Sequence, residues 1–308
     1  MPDNSKRYVA LLTGGTGYVG SRLLIHLTHS GWQVDVVVRP DSDLSLLAPF
    51  ADSIRVHLHD GSTESMIRIV AESRPDVVFH LASLFLAQHS PRDIEPLINS
   101  NILFGAQLLE AMKLNDVRRL VNTGTSWQHY ENRDYSPVCL YAATKQAFEQ
   151  LVQYYAEAAA LQTISLLLFD TYGPDDPRKK LFTLLRQVGR EVTPFAMSPG
   201  EQLIDLVYID DVVRAFVMAA ERLMADRVVM PEHYAVSSGT PLKLKELVGL
   251  YCKVTGSNIP IEWSGRPYRC REVMTPWTGG ETLPGWAPLI GLEQGIRLME
   301  KLVEGDNL

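Results

Sequence analysis

The chain has 308 residues, 46 % hydrophobic and 21 % charged; this is ordinary globular usage, which excludes a disordered or fibrous chain and suits one large α/β unit with a smaller lobe. A formal charge of −7, with no basic run longer than Arg178-Lys179-Lys180, argues against nucleic acid or an anionic membrane surface as partner. Cys139, Cys252 and Cys270 lack the spacing of a zinc site or disulfide framework, and residues 1–7 lead straight into an apolar strand, so a cytoplasmic protein without metal, leader or membrane span is expected.

Residues 8–13 read as a buried strand, joined by a glycine-rich turn to an amphipathic helix over 18–29. Further apolar strands are predicted at 33–38, 53–58, 76–81 and 119–123, with a helical stretch ending near Arg74-Pro75 and another over 98–114. A helix over 140–160 carries Ala143, Ala147, Leu151, Tyr154 and Ala158 at three- and four-residue intervals, and 164–169 returns as a strand. Alternation at this spacing predicts an α/β fold, a doubly wound parallel sheet of the Rossmann kind. Beyond Tyr172, Gly173, Pro174, Pro177, Pro194, Pro199 and Gly200 break the chain into short pieces. The expected division is a main domain over 1–172, rejoined by 203–237, and a smaller mixed C-terminal substrate lobe over 173–308.

Gly14, Gly17 and Gly20 stand between the first strand and the first helix, in Thr13-Gly14-Gly15-Thr16-Gly17-Tyr18-Val19-Gly20. This spacing is a variant of the dinucleotide fingerprint: glycines permit the tight turn and let the backbone approach a pyrophosphate, and the helix N-terminus offers free N–H groups. Thr16, Tyr18 and Val19 share that turn and are cofactor candidates. The second strand ends Val38-Arg39-Pro40. An acid there would hold the ribose of NAD(H), whereas Arg39 can pair with a 2′-phosphate, so NADP(H) is favoured; the alternative is a solvated Arg39 with Asp41 or Asp43 at the ribose. Asp60-Gly61, after the third strand, is a candidate for the adenine amino group, with Asp60 otherwise capping its loop. Leu81, Ala82 and Ser83 fall on the same rim after the fourth strand.

Tyr141 and Lys145, four apart, share a helix face. An ammonium beside a phenol is expected to lower its pKa, so that Tyr141 exchanges a proton with a carbonyl or alcohol oxygen. Such a pair is common on helix surfaces; its weight comes from following a strand that ends Asn122-Thr123-Gly124-Thr125-Ser126. A hydroxyl there can steady the reacting oxygen, Thr125 before Ser126, or merely cap the strand.

Together these residues resemble the extended short-chain dehydrogenase/reductases of the NAD-dependent epimerase/dehydratase family, which modify nucleotide sugars. The likeness covers nearly the whole chain and includes His80-Leu81-Ala82-Ser83, Asn101 before Leu108-Leu109-Glu110-Ala111, Tyr172-Gly173-Pro174, residues 205–211 (DLVYIDD), residues 234–239 (YAVSSG) and Gly285-Trp286-Ala287-Pro288. It implies NAD(P) in the N-terminal part and a nucleoside-diphosphate sugar in the lobe. It also implies a Thr125–Tyr141–Lys145 triad, Asn101 as a structural or proton-relay residue near the cofactor, and a homodimer through the helices near 101–114 and 141–160. Ser126 replaces the first of the two acids that follow the catalytic Thr in the family's dehydratases, which disfavours dehydration. Asp170 stands where its epimerases often carry Asn at the substrate. Residues 122–130 and 169–181 are most similar to the C4-ketoreductases of the CDP-paratose and CDP-abequose type. The implied activity is NAD(P)H-dependent reduction of a keto group, at C4, on a nucleoside-diphosphate deoxysugar. Ser126 and Asp170 are substrate candidates, with Arg178, Lys180, Arg269 and Arg271 as cations for the diphosphate. The alternatives are an epimerase that retains its NAD and a non-catalytic dinucleotide-sensing regulator.

Overall fold

In the computed structural model, residues 7–189 and 194–305 are described. The first six strands are β1 (Val9–Thr13), β2 (Gln33–Val38), β3 (Ile54–Leu58), β4 (Val77–His80), β5 (Arg119–Thr125) and β6 (Gln162–Leu168). Short strands follow: β7 (Asp170–Tyr172), β8 (Phe195–Met197), β9 (Leu203–Ile204), β10 (Leu206–Tyr208), then β11 (Glu232–Val236), β12 (Leu242–Lys243) and β13 (Ile261–Trp263). Seven of them make one parallel sheet in the order β3-β2-β1-β4-β5-β6-β11. The order reverses between β1 and β4, which opens a crevice at the carboxyl ends of the strands there.

The strands of the sheet's middle are buried along nearly their whole length because helices cover both faces. Helices α1 (Tyr18–His29), α2 (Thr63–Ser73), α3 (Ile94–Ile98), α4 (Phe104–Leu114) and α5 (Leu140–Ala159) precede β6, and α6 (Leu181–Val188), α7 (Ile209–Met224), α8 (Leu244–Thr255) and α9 (Leu292–Gly305) follow β7. One face buries Leu23, Leu24, Phe216 and Ala219 from α1 and α7. The other buries Met66, Leu108, Met112, Phe148 and Val152 from α2, α4 and α5.

The helix predicted at 98–114 begins earlier, at Ile94, and contains a π turn over Asn99–Leu103. The extra residue in that turn is the kind of local irregularity that hydrophobic periodicity does not report. Residues 232–236 enter the sheet beside β6, whereas Leu203–Ile204 pair with β12 in the lobe. Among the described residues no helix is long and apolar enough to cross a membrane.

Candidate active site

Thr13 ends β1 with its hydroxyl 2.8 Å from His80 Nδ1 and accepts the Ala82 N–H at 3.3 Å. The chain then turns at Gly14 with φ 77°, where a Cβ would lie 2.6 Å from the Ala82 nitrogen. Only glycine fits that approach. A side chain at Gly20 would overlap the Gly14 carbonyl, while a Cβ at Gly17 would meet only that carbonyl oxygen, at 3.3 Å. Helix α1 starts at Tyr18 with neither a side-chain cap nor an acid in its first turn, so its leading N–H groups suit an anion. Thr16 and Val19 are half-buried in this turn. Tyr18 joins it through its backbone: its ring is buried beneath the Arg178 guanidinium, 4.7 Å away, and its hydroxyl donates to the Pro174 carbonyl at 3.1 Å.

At the adenosine end the side chains are less committed. Arg39 is exposed, its Nε 3.5 Å from Asp41 Oδ1. Asp60 takes the loop-capping alternative, accepting both the Ser62 N–H at 2.8 Å and its hydroxyl at 2.6 Å. Gly61 has φ 94° and its carbonyl accepts from Gln107 Nε2 at 2.8 Å. Leu81 and Ala82 are half-buried and Ser83 is exposed on the rim after β4.

Tyr141 and Lys145 lie on the first turns of α5, 9 % and 2 % exposed. Burial raises the Tyr141 phenol above the ordinary tyrosine value; Cys139 pushes the same way and a hydrogen bond with Ser83 opposes it. The lowering expected from Lys145 is not found, because desolvation of the phenolate outweighs the neighbouring groups. The phenol therefore stays protonated, the form that donates a proton. Lys145 is pulled down to about 8 by burial, against the opposing effect of Glu149. Among the described residues it has no hydrogen bond or ion pair. A buried ammonium without an acceptor, together with the open glycine turn, fits a dinucleotide whose ribose hydroxyls reach Lys145.

Asn101 has a structural placement. Its Oδ1 accepts the Leu84 N–H at 2.7 Å and the Ser83 hydroxyl at 3.2 Å, and its Nδ2 donates to the Leu84 carbonyl at 3.0 Å and the Thr144 hydroxyl at 2.9 Å. These bonds use the carboxamide's two donors and both acceptor sites. Asn101 thus clamps the loop after β4 to α5. Thr125 is also well held: its N–H donates to Gln128 Oε1 at 2.9 Å, and Gln128 Nε2 reaches Gln146 on α5 at 2.8 Å. Its hydroxyl accepts the Trp127 N–H at 3.3 Å, leaving the hydroxyl proton to offer to a substrate oxygen.

Beside this triad a cleft of about 980 Å³ opens between sheet and lobe. Phe85, Ser126 and Trp127 line its inner end. The Phe85 ring stands edge-on 4.9 Å from Tyr141 and 5.6 Å from Trp127. Asp170, Arg178, Lys180 and Arg269 line it too. Lys180 is 3.3 Å from Asp170 and 4.6 Å above Phe85, and Arg178 and Arg269 pair with Asp176 and Glu272 at 2.7 and 2.8 Å. Arg271 is not in this wall: it donates to Ser136 Oγ at 2.7 Å and lies over the Tyr130 ring, because the backbone at Arg271 turns left-handed, at φ 56°. Arg266 and the stacked His129–Trp277 pair, with ring centroids 3.9 Å apart, also line the cleft. Sequence reasoning missed them, since no motif marks residues that loops bring together.

The model of the NAD dependent epimerase/dehydratase family matches residues 10–236. The chain is similar to the CDP-abequose synthase of Yersinia pseudotuberculosis, 26 % identical and covering 86 % of this chain and 90 % of that protein. It is also 26 % identical to the UDP-glucose 4-epimerase of Mycolicibacterium smegmatis, covering 93 % and 95 %. Among solved structures, the Thermotoga maritima UDP-glucose 4-epimerase with UDP-glucose superposes with a TM-score of 0.83 at 23 % identity, over 97 % of this chain and 100 % of that one. The Thermus thermophilus UDP-glucose 4-epimerase in complex with NAD gives 0.80 at 23 % identity, over 96 % and 99 %.

Proposed function

From the premise that the chain belongs to the NAD dependent epimerase/dehydratase family, we propose that it reduces a C4 keto group on a nucleoside-diphosphate deoxysugar. The observation that carries this reading is the placement of Tyr141 and Lys145 on the first turns of α5, with Tyr141 against Phe85 in the wall of a cation-lined cleft. Bound NAD(P)H would supply the hydride. Tyr141 gives its proton to the carbonyl oxygen, Thr125 donates a hydrogen bond to that oxygen, and Lys145 holds the nicotinamide ribose. Gly14, Gly17 and Gly20 with the start of α1 hold the pyrophosphate, and Leu81, Ala82 and Ser83 border the nicotinamide side. Ser126 and Asp170 face the sugar, and Arg178, Lys180 and Arg269 supply positive charge for its diphosphate. Arg39, exposed at the end of β2, favours NADP(H). Exposed Ile98 and Leu103 on the α3–α4 rod and Tyr154 on α5 support a homodimer through those helices.

A second reading, a nucleotide-sugar 4-epimerase, is favoured by the epimerase relatives and by neighbours solved with NAD. One experiment separates the two. The freshly purified protein is assayed for retained nicotinamide, then stripped and offered 4-keto-6-deoxy sugar nucleotides with NADPH or NADH. Oxidation of the reduced nicotinamide matched by a C4 alcohol is expected. Stoichiometric NAD⁺ surviving purification, with interconversion of C4 epimers, would replace the reductase by the epimerase.

A further inference from the structure

Lys145 is a buried cation that touches no acceptor of the protein, yet on the reading above it acts beside the reacting phenol; the inference rests on that reading. In such a place an ammonium sheds its proton unless a negative charge compensates. The groups that face it are few. Tyr141 shares its helix, and its phenol is neutral. His80, from β4, is buried, bonded through Nδ1 to Thr13, and pulled down to about 3 by burial, so it carries no charge at neutral pH. Among the described residues, the charged group that acts on it is Glu149, one turn further along the same face of α5 and 5 % exposed.

Glu149 is anchored from three strands. Asn122 on β5 donates to its Oε1 at 2.7 Å, and Oε2 accepts the Ser165 hydroxyl on β6 at 3.0 Å and lies 3.1 Å from His233 Nε2 on β11. His233 sits on the edge strand with 48 % of its side chain exposed, and its pKa is raised by the Glu149 hydrogen bond. A buried carboxylate with its lone pairs met by donors from three successive strands is fixed in position under the helix. None of these donors reaches the cleft.

We propose that Glu149 is a positioning residue for the reaction, holding Lys145 in the ammonium form from one helical turn away. Its carboxylate touches neither substrate nor cofactor and acts through Lys145 alone. Asn122, Ser165 and His233 keep it there, which gives one purpose to a polar cluster that would otherwise be an expensive way to pack a helix onto a sheet.

The test titrates Lys145 directly in the full-length protein, by carbon and nitrogen NMR of labelled lysine side chains, with the Lys145 signal assigned through Lys145→Met. Glu149→Gln is nearly isosteric and removes the charge, while turning one acceptor oxygen into a donor. It is expected to move the Lys145 transition down by about one pH unit or more, while Glu149→Asp, which keeps the charge, stays close to wild type. A Lys145 transition unmoved in folded Glu149→Gln overturns the proposal, even if turnover falls. Should Glu149→Gln not fold, the wild type decides: a Lys145 transition below neutral pH with the Glu149 carboxylate in place overturns the proposal, and one above neutral pH supports it. Because the titration needs no sugar nucleotide, it stands whether or not the reductase reading does.

Discussion

At the scale of single residues, the proposed site combines a proton donor, a cation and an orienting hydroxyl, and the first two are buried. Tyr141→Phe removes the proton and little volume. Turnover should fall by two orders of magnitude or more while NAD(P)H binding, followed by fluorescence titration, changes little; unaltered turnover would remove Tyr141 from the mechanism. Arg39 stands in solvent, ion-paired with Asp41, and on the proposed reading it turns to a 2′-phosphate. Arg39→Ala should weaken NADPH binding about tenfold or more and NADH binding hardly at all, and equal losses for both would refute that pairing. The identity of these residues was legible from motif and spacing. Their protonation was not: the i, i+4 spacing of Tyr141 and Lys145 suggested a phenol lowered by its neighbour, but the degree to which a side chain is removed from water depends on Phe85 and Ser83, which come from another part of the chain.

At the scale of elements, the π turn around Asn101 is the joint between the loop after β4 and helix α5. Truncating it leaves the Leu84 N–H and carbonyl without their partner and takes one of the two hydrogen bonds of the Thr144 hydroxyl, which still donates to the Tyr141 carbonyl. Asn101→Ala should therefore cost about 1–3 kcal/mol of stability in urea unfolding and lower turnover as well, because Ser83 and Phe85 ride on the same loop. Full stability in the variant would show that water replaces the clamp. Strand and helix positions were readable from apolar periodicity to within a few residues, since a doubly wound sheet buries its strands along their length. The π turn was not, because one additional residue in a helix leaves no compositional trace. Asp60 shows the same limit: its sequence position gave adenine contact or loop capping, and the Ser62 hydrogen bonds that cap the loop through Oδ1 come from the turn geometry.

Across the whole molecule, buried neutral histidine makes stability depend on pH. His80 titrates near 3 in the fold, against an ordinary value of 6.5. The unfolded chain therefore takes up this proton first. The contribution is fully present above about 6.5 and is lost as pH falls towards 3, with a slope of about 1.4 kcal/mol per pH unit for one proton. Unfolding free energies measured at several pH values between 7 and 4 should show this decline, and His80→Gln should flatten it; equal slopes would place the acid sensitivity elsewhere. Carboxylates held low in the fold act only below about 4, outside most of that window.

By itself the sequence determined the doubly wound fold, the glycine turn at 14–20 and the placement of Tyr141 and Lys145 one turn apart on one helix, because each is written in local spacing: alternation of strands and helices, glycine every third residue, one helical turn. The tertiary structure decided which cations line the cleft, admitting Arg266 and turning Arg271 away, that Asn101 is spent on the protein, and that Lys145 has Glu149 beneath it in a cluster drawn from β5, β6 and β11. Those outcomes depend on burial and on contacts between residues far apart in the chain. No spacing within one segment encodes them.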